Sequence, residues 1–261
     1  HSSNSESECD FQMMDIITDS QSELVVRSPD GLEKSVALYS EEGVELLTAL
    51  RLKQMAEFKT MYEPTWLGLR TIQVPNDIVA MHELIWRVRP QAIIEIGVAH
   101  GGSLVMYAGL CRQMGQGRVL GIDIEIRAEN RRNIENHEFA SFIELYEGSS
   151  IERDTYDHAK EFCRGATETV VILDSNHSSS HVLREIELYS GLVSESGYLV
   201  VMDGGQAFVS DIPRGKPSWR EDNPLIAIRQ FLATNSEFET DPHFTRFGVT
   251  SCPDGFLRRK S

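Results

Sequence analysis

The stretch that decides the fold is Ala92-Ile-Ile-Glu95-Ile-Gly97-Val-Ala-His-Gly101-Gly102-Ser103. An apolar run leads into three closely spaced glycines, and an amphipathic pattern follows at residues 102–114. A buried strand, a glycine turn and a helix in this order begin a βαβ unit. Glycine lets the backbone approach a ligand closely, and the start of a helix offers free N–H groups. The stretch therefore predicts a nucleotide-like ligand at this turn, unless the glycines only relieve crowding in a tight turn.

The rest of the chain repeats this alternation of strand and helix. Apolar runs occupy 92–98, 118–124, 142–146, 169–173 and 198–202, with helical patterns at 102–114, 127–138, 151–163 and 180–193. A helix over 224–233 and strand-like pieces at 244–250 and 255–258 complete the pattern. Continuous Val/Ile/Leu runs that are each followed by a helix are typical of parallel sheets covered on both faces. The predicted fold class is α/β, doubly wound, with a mostly parallel seven-stranded sheet and helices on both faces.

Two regions differ from this alternating core. Residues 1–63 form an acidic, partly helical leader, with an amphipathic piece at Val44–Met61 and a first ten residues expected to be flexible. Residues 64–261 are predicted to be the second domain. Within it, 204–222 is rich in glycine, proline and charge, and a stretch of this kind inside a compact domain is usually a functional lid or a disordered loop.

Composition limits the partners. The 261 residues include 40 Asp plus Glu and 25 Lys plus Arg, a formal charge of −15, of which −8 falls in residues 1–63. Such a chain repels nucleic acids and anionic membranes, and no run of 18 apolar residues suggests a membrane span. Four widely spaced cysteines (Cys9, Cys111, Cys163 and Cys252) predict a reduced, cytoplasmic protein. Homo-oligomerisation stays open.

Glycine spacing and the next acid discriminate between cofactors. A dinucleotide fingerprint reads GxGxxG, whereas this turn reads Gly97-x-x-x-Gly101-Gly102, so NAD is disfavoured. Asp123 ends the second strand about 20 residues beyond the glycines, where an acid can hold two ribose hydroxyls. Ser149 ends the third strand and could contact the adenine end. Helix capping is the alternative role for Asp123, for Ser149 and for the neighbouring Ser150.

The fourth and fifth strands end in Asp174 and Asp203. Two carboxylates brought close together repel unless a cation or proton lies between them, and oxygen ligands suit magnesium. The alternative is that both residues cap the following elements. His177 and His181 could share one helix face, and one of them is a candidate general base. As a zinc signature this pair is weak, and a packing or capping role is equally open for each.

These residues occur within a longer set of motifs. They include Trp66-Leu-Gly68, Pro75-x-Asp77, Arg89-Pro90-x-x-Ile-Ile-Glu95-x-Gly97, His100-Gly-Gly-Ser103, Leu173-Asp174-Ser-x-His177-x-x-x-His181-Val, Asn223-Pro-x-x-Ala-Ile-x-x-Phe231-Leu and Pro253-x-Gly255-Phe-Leu-Arg-Arg259. Their order over residues 60–260 resembles the cephalosporin-hydroxylase-type and rhamnosyl O-methyltransferase family. The leader lies outside this resemblance.

The resemblance implies a Rossmann-like class I methyltransferase fold with S-adenosylmethionine as cofactor. By position, Glu95, Gly97, Gly101 and Ser103 are expected to cradle its methionine part, with Asp174 also in the cofactor pocket. Asp123 is expected to hold the ribose, Ser149 the adenine, and Asp174 with Asp203 a magnesium ion. The family has two adjacent acids after the fifth strand, but this chain has Met202 before Asp203, so its metal site is weakened, completed by another residue, or absent.

The hypothesis is magnesium-assisted methylation of a hydroxyl on a small molecule, such as a sugar or another natural product. His177, or less favourably His181, takes the hydroxyl proton, and residues 204–222 with Trp219 close over the acceptor. Trp219 could equally be ordinary packing. Three alternatives remain at this point: an NAD-dependent oxidoreductase, a hydroxylase, and a non-catalytic subunit that has kept the cofactor pocket.

Overall fold

The computed structural model describes residues 16–18, 22–27 and 31–261. The chain divides into two compact units, His1–Leu50 and Arg51–Ser261. The first ten residues, which include Cys9, lie outside the described residues. The flexibility expected for them therefore stays a prediction. The domain boundary at 63/64 stays a prediction.

The first unit contains a small antiparallel sheet of three strands, β1 (Ile16–Thr18), β2 (Glu23–Arg27) and β3 (Glu33–Ala37). Leu24 pairs with Val36, and both side chains are buried. These strands were not predicted, because their apolar patterns are short and charged residues interrupt them. Helix α1 (Glu41–Glu57) begins in this unit, where the Ser40 hydroxyl accepts a hydrogen bond from the Gly43 N–H. This cap explains why the helix starts earlier than the expected Val44.

The second unit carries the larger sheet. Its strands are a short β4–β5 hairpin (Thr65–Trp66 and Leu69–Arg70), β6 (Ala92–Ile96), β7 (Arg118–Asp123), β8 (Ile143–Glu147), β9 (Thr169–Leu173), β10 (Tyr198–Val201), β11 (Phe238–Thr240) and β12 (Phe256–Arg259). Its helices, after the end of α1, are α2 (Pro75–Val88), α3 (Gly102–Met114), α4 (Ala128–Glu135), α5 (Arg153–Phe162), α6 (Ser179–Tyr189) and α7 (Pro224–Thr234). The five predicted strands of the alternating core and their helices are confirmed, with ends that differ by up to four residues.

Strand order defines where a ligand can bind. The seven-stranded sheet runs β11-β12-β10-β9-β6-β7-β8. β12 is antiparallel to both of its neighbours, β10 and β11, and the other neighbouring strands are parallel. The chain moves outward from β6 through β7 to β8, then returns to the other side of β6 as β9. Such a reversal opens a crevice at the carboxyl ends of the strands, the usual ligand site in open α/β sheets. The decisive glycine turn and Asp174 lie on the two sides of this switch point.

Both faces of the sheet are buried, which explains the continuous apolar runs. Successive side chains of a strand point to opposite faces. Ile93 of β6 therefore joins one core cluster with α2 and α3, whereas Ile94 joins the other with α6 and α7. Helices such as α2 and α6 each supply one apolar stripe to one face, whereas α3 is buried on nearly all sides. Glu95 lies on the α3 side and is fully buried.

The strand predicted at 244–250 is wrong. Pro242–Thr245 forms a 3-10 turn, and the Asp241 carboxylate accepts a hydrogen bond from the His243 N–H at its start. The missed edge strand, β11, lies just before it. Phe244 is buried against Tyr198 and Phe256, so its apolar signal reflects core packing in a turn.

Residues 204–222 contain only two short 3-10 helices, Gly204–Phe208 and Pro217–Arg220. Trp219 packs against a small cluster that contains Leu52, Val74 and Val209. The packing role left open for this side chain is therefore observed. Among the described helices, none has the length and apolar character that a membrane span requires.

Candidate active site

The glycine turn brings the ends of β6 and β9 into contact. Gly97 has a φ of +108°, and a Cβ at this position would overlap the carbonyl oxygen of Asp174. The Asp174 N–H in turn donates to the Ile96 carbonyl at 2.7 Å. Gly101, with a φ of +80°, precedes α3 without a side-chain cap. The glycines are therefore required by backbone geometry, and they leave the first N–H groups of α3 without intrahelical partners.

Glu95 supports this turn from within the core. It accepts hydrogen bonds from the Ser103 hydroxyl at 2.7 Å and from the Tyr107 hydroxyl at 3.4 Å. Burial raises the pKa of Glu95 to about 8, although both hydrogen bonds act in the opposite direction. The group is therefore mostly protonated at neutral pH. Glu95 and Ser103, both assigned to the methionine part by resemblance, bond to each other and tie β6 to α3.

Asp123 connects β7 to the same turn. One of its carboxylate oxygens accepts from the Val98 N–H at 2.8 Å, and the other accepts from the Glu125 N–H at 3.3 Å. The side chain is half-buried. Asp123 thus lies beside the glycine turn, at the edge where the sequence predicted a ribose contact.

The two serines after β8 have different environments. Ser149 is half-buried, whereas Ser150 is buried and its hydroxyl donates to Glu185 at 2.6 Å. Glu185, on α6, also accepts from the Ser175 hydroxyl at 2.7 Å. Sequence reasoning missed this carboxylate. Its only signal was its position four residues after His181, which places both side chains on one helix face.

Three predicted site residues come together beyond β9 and β10. One potential metal-ligating atom from each of Asp174, His177 and Asp203 lies within 4.8 Å of the other two. His177 Nε2 is 3.1 Å from a carboxylate oxygen of Asp203. Burial raises the pKa of Asp174 well above its usual value, and the negative charge of Asp203 raises it further. All three side chains are half-buried and therefore remain partly open to a ligand.

Strand pairing explains this convergence. β9 and β10 are parallel neighbours, with Leu173 opposite Val201 and the Met202 N–H donating to the Leu173 carbonyl at 2.9 Å. Asp203 then has a φ of 58°, in the left-handed region, so the chain turns away from the sheet at this residue. Left-handed conformations are uncommon outside glycine but are tolerated by Asp and Asn.

The structure separates His181 from this cluster. Its Nε2 lies 3.1 Å from a Glu185 oxygen and 3.2 Å from the Ser150 hydroxyl. The Glu185 contact raises the pKa of His181, which burial opposes. Of the two candidate bases, only His177 lies with the two strand-end acids.

Met202 points into the core. It is 2% exposed, and its sulfur lies 3.3 Å from the Cys252 sulfur. Nearby, the buried Asp77 of α2 accepts from the Thr250 hydroxyl at 2.5 Å and from the Ser251 N–H at 2.7 Å. The Ser251 carbonyl accepts from the Gly205 N–H at 2.8 Å. Asp77 thus holds the segment against which the chain after Asp203 is fixed, a role that its place in a Pro-x-Asp motif did not reveal.

Comparison with known proteins identifies relatives of this chain. A rhamnosyl O-methyltransferase of Mycobacterium tuberculosis is 30% identical over 201 residues, 75% of this chain and 78% of the relative. The Mycobacterium leprae rhamnosyl O-methyltransferase is 28% identical over 203 residues, 75% of this chain and 83% of the relative. A solved CmcI structure described with Mg-SAM shares the fold with a TM-score of 0.55, at 24% identity over 77% of this chain and 78% of that one.

The family model for rhamnosyl O-methyltransferase/CmcI matches residues 58–260. Both the resemblance and the fold class expected from the sequence are therefore confirmed. The three alternatives to an O-methyltransferase, an NAD-dependent oxidoreductase, a hydroxylase and a non-catalytic subunit, have no support in these matches. The chain belongs to the rhamnosyl O-methyltransferase/CmcI family.

Proposed function

We propose that this protein transfers a methyl group from S-adenosylmethionine to a hydroxyl oxygen of a small molecule, with a divalent ion at Asp174 and Asp203. Its family makes it an O-methyltransferase. The observation that carries the proposed site is the meeting of Asp174, His177 and Asp203 next to the glycine turn. Asp174 belongs to both parts of the site, since its backbone contacts the glycine turn and its side chain belongs to the acidic cluster. The methyl donor and the acceptor would therefore lie side by side.

The cofactor half of the site is proposed at the ends of β6, β7 and β8. Gly97 and Gly101 let the backbone approach the methionine part, and the uncapped start of α3 provides N–H donors. Asp123 would accept from the ribose hydroxyls, and Ser149 would contact the adenine. Glu95 and Ser103 would support the cofactor site indirectly, since the hydrogen bond between them fixes α3 against β6.

The acidic cluster fits a divalent cation. Its carboxylates are hard oxygen donors. Burial raises the pKa of Asp174 first, and the negative charge of the neighbouring Asp203 raises it further. Asp174 and Asp203 would hold the ion, which when bound would lower the pKa of the acceptor hydroxyl and orient it. Met202 cannot replace the family's second acid because it points into the core.

His177 is proposed to take the acceptor's proton. Asp203 can orient the imidazole by accepting a hydrogen bond from Nε2–H, which leaves Nδ1 as the basic nitrogen. The tautomer is inferred from this contact. A positioned base of this kind contributes roughly 10²- to 10⁴-fold to the rate.

A sugar is the favoured acceptor. The curated relatives are named rhamnosyl O-methyltransferases. Other natural-product hydroxyls are the second class. Residues 204–222, which begin directly after Asp203, are proposed to cover the acceptor and exclude water.

Isothermal titration calorimetry tests the cofactor assignment. We expect the protein to bind S-adenosylmethionine and S-adenosylhomocysteine, and Asp123→Ala to weaken binding by about 10- to 100-fold because charged hydrogen bonds to the ribose are lost. The exposed neighbour Glu125 provides the control, since Glu125→Ala should bind normally. Unchanged affinity in Asp123→Ala would remove the ribose assignment.

Transfer of a labelled methyl group to a panel of glycosides tests the reaction. Activity should require a divalent ion, disappear with a chelator and return when Mg²⁺ is restored. Turnover that persists in chelator would favour a metal-independent mechanism with His177 as base.

A further inference from the structure

The loop between β9 and α6, residues 174–178, carries the proposed base and is held at both ends. At its start, the Asp174 N–H donates to the Ile96 carbonyl at 2.7 Å. At its end, the Ser178 N–H and hydroxyl both donate to the Asn176 side-chain oxygen at 2.8 Å. Ser178 is the N-cap residue of α6, but its hydroxyl is used within the loop and makes no cap. The first N–H groups of α6 therefore need an acceptor from elsewhere.

Asp222 supplies that acceptor from the end of the 204–222 segment. One oxygen of its carboxylate accepts from the Ser179 N–H at 2.6 Å and from the Ser179 hydroxyl at 2.7 Å. The bond from the N–H, and then that from the hydroxyl, lower the pKa of Asp222, so the carboxylate is ionised at neutral pH. A negative charge is favourable at a helix N-terminus, because it faces the positive end of the helix dipole. Asp222 therefore caps α6 from a position 43 residues farther along the chain.

The segment that ends at Asp222 is itself fixed in place. The next residue, Asn223, is fully buried. Its side chain donates to the Trp219 carbonyl at 2.7 Å and accepts from an N–H in the first turn of α7 at 3.2 Å. In the middle of the segment, the Arg214 guanidinium donates to the Ala56 carbonyl near the end of α1 at 2.8 Å. The Asp222 carboxylate therefore reaches α6 from a backbone that is held on both sides.

Both ends of this segment contact the surroundings of His177. Asp203 lies directly before residues 204–222, and its carboxylate is 3.1 Å from His177 Nε2. Asp222 is the last residue of the segment and holds Ser179, two residues after His177. The segment that is proposed to cover the acceptor and the imidazole that is proposed to take its proton are thus joined at two points.

We infer that Asp222 is a positioning residue, which fixes the start of α6 so that His177 lies at the reacting hydroxyl of the acceptor. This inference rests on the proposed function, because it assumes that His177 is the base. The hydrogen bonds of Asp222 go to Ser179, so its effect on the imidazole passes through the short stretch of backbone between them. Proton transfer requires the base within hydrogen-bond reach of the hydroxyl, so a small displacement of this backbone lowers the rate.

A double-mutant cycle tests whether Asp222 acts through His177. Asp222→Ala should lower kcat for the transfer of a labelled methyl group by about 10-fold, because the base is displaced. In the His177→Gln background the same change should lower kcat by less than about twofold, because no base remains to be positioned. The affinity for S-adenosylhomocysteine, measured by calorimetry, should be the same in all these variants, since the glycine turn and Asp123 are unchanged.

Two further variants separate positioning from general stability. Asp222→Asn keeps an oxygen that can accept from Ser179 and should recover most of the kcat lost in Asp222→Ala. Glu187→Ala is the control, because it removes an exposed carboxylate farther along α6 that pairs with Arg184. It should leave kcat unchanged in both backgrounds. Each variant is assayed well below its Tm, measured by thermal denaturation, so that a fall in kcat does not come from unfolding.

Three results would overturn the inference. An unchanged kcat in Asp222→Ala would mean that the cap does not affect the base, and a raised acceptor KM alone would mean that Asp222 only fixes the covering segment. Equal fold losses in the two backgrounds would mean that Asp222 acts independently of His177. If His177→Gln by itself kept full turnover, the proposed base would fail as well, whereas additive losses on top of a large His177→Gln effect would remove only the inference.

Discussion

Two histidine–carboxylate contacts lie four residues apart in this chain and have opposite surroundings. His177 contacts Asp203 and His181 contacts Glu185, each at 3.1 Å. The first pair is half-buried at the ends of two strands and includes a second acid, Asp174. In the second pair, Glu185 is fully buried, and its Oε1 also receives hydrogen bonds from two serines, whereas its Oε2 is buried without a partner among the described residues. Contact distance alone does not identify a reactive pair, because burial decides whether the carboxylate remains open to a ligand.

The largest expected effect comes from Asp203→Asn. Asparagine tolerates the left-handed backbone of this residue, so the fold should remain. Removing the charge should weaken divalent-ion binding and reduce methyl transfer by roughly 100-fold or more, as expected for the loss of a metal ligand. The Tm should stay constant or rise, because repulsion with Asp174 disappears. Mn²⁺ titration followed by electron paramagnetic resonance, together with the labelled-methyl assay, measures both effects.

Asp254→Asn is the matched control for that change. Asp254 also has a left-handed φ, of 55°, and its carboxylate lies 3.8 Å from the Arg229 guanidinium, outside the acidic cluster. The variant should retain Mn²⁺ affinity and turnover. Loss of turnover in Asp254→Asn but not in Asp203→Asn would reverse the proposed roles.

Replacing His177 is expected to have the next largest effect, with the same replacement of His181 as its comparison. His177→Gln should lower kcat by roughly 10²-fold or more, because the acceptor's proton loses its proposed base. His181→Gln should retain most of the turnover and lower the Tm instead. A metal affinity that falls together with kcat in His177→Gln would identify the imidazole as a third ligand in place of a base. Equal kinetic losses in both variants would contradict the separation of the two pairs.

Glu185→Ala should affect stability more than chemistry. The change leaves buried Ser150 without its carboxylate acceptor and removes the acceptor of Ser175 and His181. We expect a loss of about 2–3 kcal/mol in the free energy of unfolding, measured by urea denaturation. Glu185→Gln, which keeps one acceptor oxygen, should lose less. Unchanged stability in the alanine variant would mean that the serines and His181 find other partners.

The smallest expected effect is the pH dependence of the second pair. Glu185 raises the folded-state pKa of His181 above its ordinary value of 6.5. The contribution of the His181–Glu185 contact to the free energy of unfolding is therefore complete below about pH 6.5 and is lost as the pH rises through the folded-state pKa of His181. Urea denaturation between pH 5.5 and 8.5 should show the difference between wild type and His181→Gln narrowing with increasing pH, by about 1 kcal/mol or less. Glu95, with its pKa of about 8, contributes the same trend to both proteins and cancels in this difference.

Much of the site could be predicted because parallel strands bring their carboxyl ends to one edge. Glycines at 97 and 101, followed by acids at 123, 174 and 203, each mark the end of a strand, so their convergence follows from the fold class alone. The sequence favours His177 over His181, but only the structure supplies the reason, because α6 begins at Ser179 and leaves His177 beside Asp203 while His181 lies on the helix beside Glu185. Glu185 could not be found from the sequence, since a buried polar residue is recognised only when its surroundings are known.

By itself the sequence determined the α/β class, the glycine turn and the acids at the strand ends, since these depend on local periodicity and on backbone conformations that only certain residues adopt. Tertiary structure alone decided which polar groups are buried within the fold and which remain open to a ligand. Glu185 is engaged by residues from the ends of β8 and β9, whereas Asp174 and Asp203 remain together and partly open. The physical reason is that hydrogen bonding, burial and charge repulsion depend on distances between segments far apart in the chain. Those distances cannot be read from the residue pattern of any single segment.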